Sequence, residues 1–434
     1  MLVPRILVFY SICLLSVLAS SVFTSVYAAD SDERFLIKLR YGYYDRDYDT
    51  NSKDRKQSGY SGILGYQSAW VSDRFRVGFA AHTAKELASS GLATEDLLAY
   101  NGHENKDHSL IAEAYIDYAA LDSLRFRFGR QKHKSLLMAS ATRLLPSTFE
   151  GASLHWQVHD NVQLDASRYY KWSRRADEQF NGFATDRSGE GAIDYVDIAS
   201  VKIKLANSKL TAEYLHSDDY IQKWAVTSDT VWQGSGFKLN AMAGLFGATD
   251  AGKLFITDAE SGDLDYDVNA ASASGRQKYS SLAAYLGIKF SVKQSQFALY
   301  HSWIGDPWLE DNYAKDHGVN PFPHRTAGPD MLNKDEKVLL VEYKQDWQKL
   351  LQTQLTSRVA YAYGYDAENA VSKDLGHADE HWFEVDLRWR SARFKGWSSR
   401  LRYRDYGSSE TGSVRGVKED QTDIRLTLDY AYSF

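Results

Sequence analysis

Three arginines at alternate positions near the end of the chain, Arg400, Arg402 and Arg404, have the chemistry to bind anions. On a β-strand, side chains two residues apart lie on the same face, about 6 to 7 Å from each other. Like charges at this spacing repel each other, which favours a functional role over simple solvation. Because guanidinium groups form paired hydrogen bonds with carboxylates, the row indicates a path for solutes that carry a carboxylate.

Basic residues recur on the polar face of other segments in which apolar and polar residues alternate. In one of them, Phe383 and Val385 define an apolar face and place Arg388 on the opposite one. The basic residues assigned to polar faces in this way include Lys38, Arg40, Arg125, Arg127, Arg388, Arg390, Arg400, Arg402, Arg404 and Arg425. The acidic residues assigned similarly are Glu113, Asp117, Glu213, Asp423 and Asp429. For any single residue, the alternative is a solvated charge that its neighbours neutralise.

The end of the chain shows which kind of element carries these faces. Ile424, Leu426 and Leu428 alternate with polar residues, and the alternation continues to the terminal Phe434. A strand whose apolar face ends in aromatic residues is typical of a transmembrane β-barrel, in which the apolar face contacts lipid. The alternative is an edge strand of a soluble β-sandwich.

The segments between the alternating stretches fall into two length classes. Short connections, rich in Asn, Ser, Asp, Gly or Lys, lie near residues 71–73, 120–123, 158–161, 206–208, 233–235, 292–294, 348–351 and 393–396. Longer polar stretches lie between them at 45–58, 83–108, 132–148, 173–192, 249–278, 305–335, 366–379 and 407–420, and a break at 218–220 is the one short member of this set. Outer-membrane barrels alternate short periplasmic turns with long extracellular loops. The sequence therefore predicts an all-β fold, a transmembrane antiparallel β-barrel of about 18 strands.

Closure of this barrel brings the first and last strands together. We expect Arg425 to lie between Arg402 and Arg40, within one continuous basic wall that crosses four adjacent strands. Acidic residues elsewhere in a narrow aqueous pore would then set up a transverse electric field that orients solutes.

The N-terminal segment predicts export. Arg5 precedes an apolar stretch, and small residues around Ala28 form a cleavage site, which is typical of a secretory signal peptide at 1–28 followed by one domain at 29–434. The only cysteine, Cys13, lies in this segment, so the exported chain has neither a disulfide nor a cysteine metal site. No later stretch of about 18 apolar residues exists, which excludes a helical membrane protein.

Several motifs resemble the OprD family of substrate-specific outer-membrane channels. They are Gly129-Arg130-Gln131, then Arg143-Leu144-Leu145-Pro146 leading to Phe149-Glu150-Gly151, with further support from 305–308, 327–330 and the closing strand. The resemblance implies an 18-stranded barrel with an inward-folded constriction loop at 132–148, which contains Lys132, Lys134 and Arg143, and places Arg130 and Arg143 at or near the narrowest point. It also implies a lumenal arginine ladder and an acidic pocket in a later loop, for which Asp330 is the candidate.

These features together predict a porin for passive, substrate-selective diffusion of small polar nutrients, namely carboxylate-bearing solutes such as amino acids or organic acids, in the outer membrane of a Gram-negative cell. We expect no cofactor, bound metal or nucleic-acid partner. The expected partners are small-molecule solutes, outer-membrane lipid and lipopolysaccharide, and the barrel-assembly machinery, with the protein a monomer or a loose trimer. The alternatives are a porin for chito-oligosaccharides or other sugars, a barrel enzyme, which lacks support from any nucleophile or metal motif, and a sealed structural barrel.

Overall fold

The fold is described from a computed structural model. It covers residues 33–50, 53–94, 96–185, 191–255, 279–309, 313, 319–325, 330–414 and 416–434. The predicted signal peptide, most of the predicted loop at 249–278 and the motif residues 327–329 lie outside this range.

Eighteen long strands form the barrel within the described residues. They are β1 (Arg34–Tyr48), β2 (Arg55–Gln67), β3 (Phe75–Gly91), β4 (His108–Leu121), β5 (Leu124–Gln131), β6 (Thr148–His159), β7 (Val162–Ser173), β8 (Val196–Leu205), β9 (Ser208–Ser217), β10 (Ile221–Gln233), β11 (Phe237–Asp250), β12 (Ser280–Val292), β13 (Ser295–Ile304), β14 (Lys337–Asp346), β15 (Gln354–Glu368), β16 (Gly376–Arg390), β17 (Trp397–Ser408) and β18 (Gln421–Ser433).

Each strand pairs antiparallel with the next one along the chain, and β1 also pairs with β18. The closing register runs from Leu36 opposite Ser433 to Tyr48 opposite Gln421. At its end, Phe35 N donates to Phe434 O at 2.7 Å. Because the first and last strands are joined in this way, the sheet has no free edge. The predicted closed antiparallel barrel is confirmed.

The outer face of the barrel is apolar and aromatic. On β12, for example, the outward Leu286 is 69% exposed, whereas the inward Ala283 is buried. Near the chain termini, the rings of Phe35 and Phe434 stack at a centroid distance of 5.5 Å. An apolar outer band that ends in aromatic rings is the surface that a barrel presents to lipid.

Short and long connections alternate along the barrel as the sequence predicts, but several strands extend further than expected. β1 continues to Tyr48 and β2 starts at Arg55, so the predicted loop at 45–58 shortens to 49–54. Among the described residues, the remaining regular structure includes α1 (Gln348–Leu351), a 3-10 turn (Lys373–Leu375) and short strands at Ala99–Tyr100, Asn105–Lys106, Asn181–Ala184, Ala192–Ile193 and Thr411–Gly412. No helix in this part of the chain has the length and apolar character needed to cross a membrane.

Two segments between strands fold into the barrel and form its internal core. In the β3–β4 connection, Leu97 and Leu98 pack with Tyr44 and Ile63 of the barrel wall. In the β13–β14 connection, Trp308, Tyr313 and Phe322 join a larger cluster with the walls of β7, β10 and β11. These two connections narrow the lumen at the end of the barrel that carries the long connections.

Candidate functional site

A third inward-folded segment, residues 132–147 between β5 and β6, crosses the lumen and is called the inward loop here. On one side, the backbone N–H groups of Leu136 and Leu137 donate to the carboxylate of Glu213 on β9 at 3.0 and 2.8 Å. On the other side, Ser61 on β2 donates to Leu144 O at 3.0 Å. Because β2 and β9 lie on nearly opposite sides of the barrel, the loop divides the lumen and forms its constriction, as predicted.

Close packing holds the second contact in place. Leu144 and Leu145 are buried against Tyr44 and Ile63. A Cβ atom at position 42 would come within 2.8 Å of Leu144 Cδ2, so Gly42 gives the loop room to approach the wall. The loop is therefore bound to the wall by apolar contacts as well as hydrogen bonds.

The basic wall next to the loop is formed by β16, β17, β18 and β1, and carboxylates lie between its arginines. Asp386 accepts from Arg388 and Arg400, each at 2.8 Å. Glu384 lies 2.7 Å from Arg358 of β15 and 3.9 Å from Arg402. The wall is thus a lattice of ion pairs rather than an uninterrupted row of positive charge.

The part of this wall nearest the long connections is more tightly paired. Asp423 is almost fully buried and lies 2.7 Å from Arg425, 2.8 Å from Arg46 and 3.5 Å from Arg404. Asp423 therefore binds guanidinium groups from three strands and fixes their positions. This arrangement satisfies much of the local positive charge before any solute arrives.

Exposure to the lumen differs strongly along the predicted ladder. The exposed side-chain fraction falls from 59% at Arg388 to 36% at Arg400, 17% at Arg402 and 1% at Arg404. Arg404 points inward, as the alternation along the strand predicts, but other side chains cover it. It is therefore not accessible to solutes, which corrects its assignment to the pore-lining ladder. The accessible arginines are at the end of the wall nearest the short connections.

The register of barrel closure also differs from the prediction. Arg402 is opposite Arg425, as expected, but Arg425 is opposite Tyr44. Arg40 is opposite Asp429 and binds it at 2.5 Å. Arg425 therefore does not lie between Arg402 and Arg40, because the closing strands are offset by four residues from the expected pairing.

Like Arg46, Tyr44 is a residue at this wall that was not predicted from the sequence. The guanidinium carbon atoms of Arg425, Arg46 and Arg143 lie 4.6, 5.2 and 5.6 Å from the centroid of its ring. Its inward parity on β1 was visible in the sequence, but its role as a common platform depends on the closing register. Cation–π contacts of this kind orient guanidinium groups without neutralising them.

A hollow of about 260 Å³ opens onto this wall, between the inward loop and the end of the barrel with the short connections. Its lining combines the loop with all four strands of the wall, and includes Arg40, Arg143, Arg388, Arg390, Arg400, Arg402, Arg425 and Asp429. We call this space the basic hollow. It has the size and the charge to receive a small carboxylate.

The remaining predicted basic residues lie apart from the hollow. Arg127 binds Asp117 at 2.6 Å, and Asp117 also binds Arg76 at 2.5 Å. Arg125 lies 5.5 Å from the ring centroid of Trp70, near a short connection. These inward charges of β3, β4 and β5 form a second, compensated group on another part of the wall.

The start of the inward loop carries two of the other predicted lysines. Lys132 binds Glu113 at 2.7 Å, and Lys134 is exposed and forms an isolated bridge with Ala139. Lys38 points inward on β1 opposite Ala431, away from the hollow's lining. The loop thus brings additional positive charge into the lumen.

Arg130 does not lie at the constriction. It belongs to the same face of β5 as the exposed Phe128, and it binds Glu150 at 2.8 Å on the outer surface of the barrel. Since side chains alternate along a strand, Gln131 faces the lumen and Arg130 must face away. This corrects the placement that the family resemblance implied.

Arg143, in contrast, lies at the constriction and is held by a residue that the sequence did not indicate. It forms an ion pair with Asp96 of the β3–β4 connection, and Asp96 also binds Arg55 at 2.6 Å. Burial opposes ionisation of Asp96, but Arg143 and Arg55 more than offset it and hold its pKa at about 2. The carboxylate thus stays charged and keeps Arg143 in place across the physiological pH range.

The predicted acidic pocket involves carboxylates beyond Asp330. Asp330 is partly exposed and lies beside Asn320, whereas Glu336 and Glu380 are completely buried nearby. Asn333 Nδ2 donates to Glu336 at 2.9 Å and to Glu380 at 2.7 Å, and Tyr406 OH donates to Glu380 at 2.6 Å. Burial, followed by the neighbouring charge of Glu380, raises the pKa of Glu336 well above its usual value. This buried pair fastens the β13–β14 connection to β16.

The described residues contain no group of three or more His, Cys, Asp or Glu side chains arranged to hold a metal ion. The charged groups along the inward-facing wall are guanidinium groups, ammonium groups and carboxylates.

Comparisons with known proteins agree with this geometry. The model of a family described as outer membrane porin, OprD family, matches residues 30–434. A search of curated proteins gave no significant match.

Solved structures share the fold at low identity. The structure of Pseudomonas aeruginosa OpdK with vanillate is 16% identical with a TM-score of 0.78, and the match covers 93% of this chain and 99% of that one. Pseudomonas aeruginosa OccK9 (OpdG) is 17% identical with a TM-score of 0.77 and the same coverage. Acinetobacter baumannii OccAB1 is 17% identical with a TM-score of 0.78, over 94% of this chain and 99% of that one.

Proposed function

Because this chain belongs to the OprD family of outer membrane porins, we propose that its barrel passes small solutes that carry a carboxylate, such as amino acids or organic acids, by passive diffusion. The observation that carries the proposal is the exposure gradient along the basic wall. Arg388 and Arg400 offer partly exposed guanidinium groups to the lumen, whereas the buried arginines nearer the long connections are fixed by Asp423.

The ion pairs on the wall suit transport better than tight binding. A carboxylate that approaches Arg400 competes with Asp386, which already binds that guanidinium. The solute therefore replaces an existing interaction and gains little net free energy. A channel needs sites that attract a solute but release it quickly, and this exchange provides them.

The inward loop acts as the filter in this proposal. Arg143 and the wall residues Arg40 and Arg402 line one side of the basic hollow, so a solute that passes the constriction meets positive charge directly. A relative of similar fold is described with vanillate, an aromatic carboxylate, which supports an anionic substrate class.

A sugar porin receives less support. Aromatic platforms for oligosaccharides must be exposed to the lumen, but Trp172, Trp308 and Trp382 are buried. Trp172 stacks instead on Phe149 and Phe183 within the core formed by the connections.

Export and assembly complete the proposal. Removal of residues 1–28 as a signal peptide would deliver the barrel to the periplasm of a Gram-negative cell. The C-terminal strand with Phe434 would then be recognised by the barrel-assembly machinery, and the protein would function as a monomer or a loose trimer.

Ion selectivity tests the proposal. The protein is reconstituted in a planar bilayer under a gradient of potassium chloride, and the reversal potential is measured. We expect an anion-selective channel, because the accessible part of the lattice is basic. A cation-selective channel, or folded protein without conductance, would contradict the proposal.

A further inference from the structure

A second basic site lies on the outer surface of the barrel, where Arg130 and Lys171 face a hollow of about 420 Å³. Arg130 is 38% exposed in its side chain, and Lys171 is exposed at the far end of β7. This outer hollow is separated from the lumen by the barrel wall, so neither residue contributes to the solute path described above.

The two cations retain capacity for an anionic partner. Arg130 Nε donates to Glu150 at 2.8 Å, and Nη1 donates to Ile111 O at 3.2 Å. Nη2 of Arg130 and the ammonium group of Lys171 make no hydrogen bond within the described part of the chain. Glu178, which also lines the outer hollow, is paired with Lys106 at 2.9 Å. Glu150 also lines the outer hollow, so each lining carboxylate is paired with a cation, and the ammonium group of Lys171 remains as the uncompensated charge among the described residues.

The floor of the outer hollow is apolar. Leu110, Ile111 and Phe180 line it, and the guanidinium carbon of Arg130 lies 4.3 Å from the ring centroid of Phe180. Immediately below, the outward rings of Phe126 and Phe128 stack at 6.3 Å. A ligand that fits here has an anionic head and an apolar body.

The height of the outer hollow matches a lipid headgroup. Lys171 lies nine residues beyond Val162, where β7 starts at the end of the barrel with short connections. Nine residues of a strand tilted by about 40° rise by about 23 Å, close to the apolar band of about 25 Å in outer-membrane barrels. The hollow thus lies at the outer boundary of the lipid-facing surface.

We propose that the outer hollow binds the phosphate group of a phosphorylated glycolipid in the outer leaflet. Arg130 Nη2 and the Lys171 ammonium group hold the phosphate, and Leu110, Ile111 and Phe180 contact its acyl region. Because basic residues near a membrane surface bind lipid phosphates through both charge and hydrogen bonds, the site anchors this side of the barrel at a fixed depth.

Native mass spectrometry of the purified, delipidated barrel tests the site. The protein is titrated with lipid A that carries two phosphates and with the same lipid after removal of both phosphates. We expect the wild-type protein to retain the phosphorylated lipid about tenfold better, and R130Q/K171Q to retain both forms equally.

A matched double variant controls for charge. R168Q/K337Q also removes two outward cations, each of which is paired elsewhere, with Asp197 and Asp366 respectively. It should retain the phosphorylated lipid as the wild type does. Equal lipid retention by the wild type and R130Q/K171Q would overturn the proposal. Complete displacement of the lipid by inorganic phosphate would overturn it as well, since that result shows a phosphate site without a role for the apolar floor.

Discussion

Arg388 and Arg400 are the side chains on which the proposed selectivity depends, because they are the most exposed arginines that share a carboxylate on the basic wall. Their common partner, Asp386, is almost fully buried and holds both guanidinium groups within 2.8 Å. Solutes would therefore meet a positioned pair of donors rather than two mobile side chains.

Replacing both arginines should weaken anion selectivity. In R388Q/R400Q we expect the anion-to-cation permeability ratio to fall about fivefold, equivalent to about 1 kcal/mol for two partly exposed charges. Reversal potentials in planar bilayers measure this ratio. R125Q/K202Q is the control, since Arg125 on β5 and Lys202 on β8 are inward cations outside the basic wall, and Lys202 binds Asp165 at 2.8 Å. This variant should change the ratio much less. An equal loss in both variants would assign selectivity to net lumen charge alone.

Removing the competing carboxylate of Asp386 should strengthen the binding of solute carboxylates to the wall. In D386N, Arg388 and Arg400 lose the partner that a solute must displace, so carboxylates should bind more tightly and leave more slowly. We expect transport to saturate at a lower carboxylate concentration than in the wild type, measured as uptake into proteoliposomes over a concentration series. An unchanged half-saturation concentration would show that Asp386 does not compete with solutes.

At the scale of elements, the inward loop depends on Glu213 for one of its two attachments. Charge-assisted hydrogen bonds to backbone N–H groups contribute about 1.5 to 3 kcal/mol each. E213Q weakens two of them, so the loop should move more and the channel should show larger current fluctuations in single-channel recordings. D165N is the matched control, since Asp165 contacts Lys202 and His155 of the wall instead. Equal noise in wild type and E213Q would contradict this role.

The β13–β14 connection should respond to pH through Glu336. Its pKa is raised in the folded protein by burial and by Glu380, so it favours the protonated form there. The attachment is therefore strongest below the ordinary glutamate pKa of about 4.3 and weakens as pH rises through the elevated value. We expect protease cleavage within 305–336 to become faster with rising pH.

The variant E336Q tests this assignment, because glutamine keeps the shape and cannot ionise. Cleavage of E336Q should depend much less on pH, while E368Q, which alters the ion pair between Glu368 and the exposed Lys373, should behave as the wild type does. If E336Q retained the full pH dependence, another group would be responsible.

At the scale of the whole molecule, the sequence was sufficient to predict the family, the closed barrel of 18 strands, the outer-membrane location and a channel rather than an enzyme, and these predictions are confirmed. Alternation along strands such as β18 determines which side chains face lipid, and this pattern is local. The same rule places Arg130 outward with Phe126 and Phe128. The resemblance led to the opposite placement because a motif gives position along the chain but not the direction of a side chain.

The remaining features depend on contacts between distant residues. The register between β1 and β18 follows from the stagger of the whole barrel, so the pairing of Arg40 with Asp429 could not be derived from either strand alone. Likewise, Asp96 and Glu336 lie in connections whose paths into the lumen are set by tertiary packing. The assignment of individual residues to solute binding stays a prediction.

A comparison of solute fluxes shows whether the barrel selects solutes by their carboxylate. Proteoliposomes that contain the wild-type protein are exposed to a small organic acid and, separately, to its carboxamide, which has nearly the same size but no charge. We expect faster uptake of the acid at neutral pH, with the advantage reduced in R388Q/R400Q. Equal uptake of the two solutes, or faster uptake of the carboxamide, would contradict it.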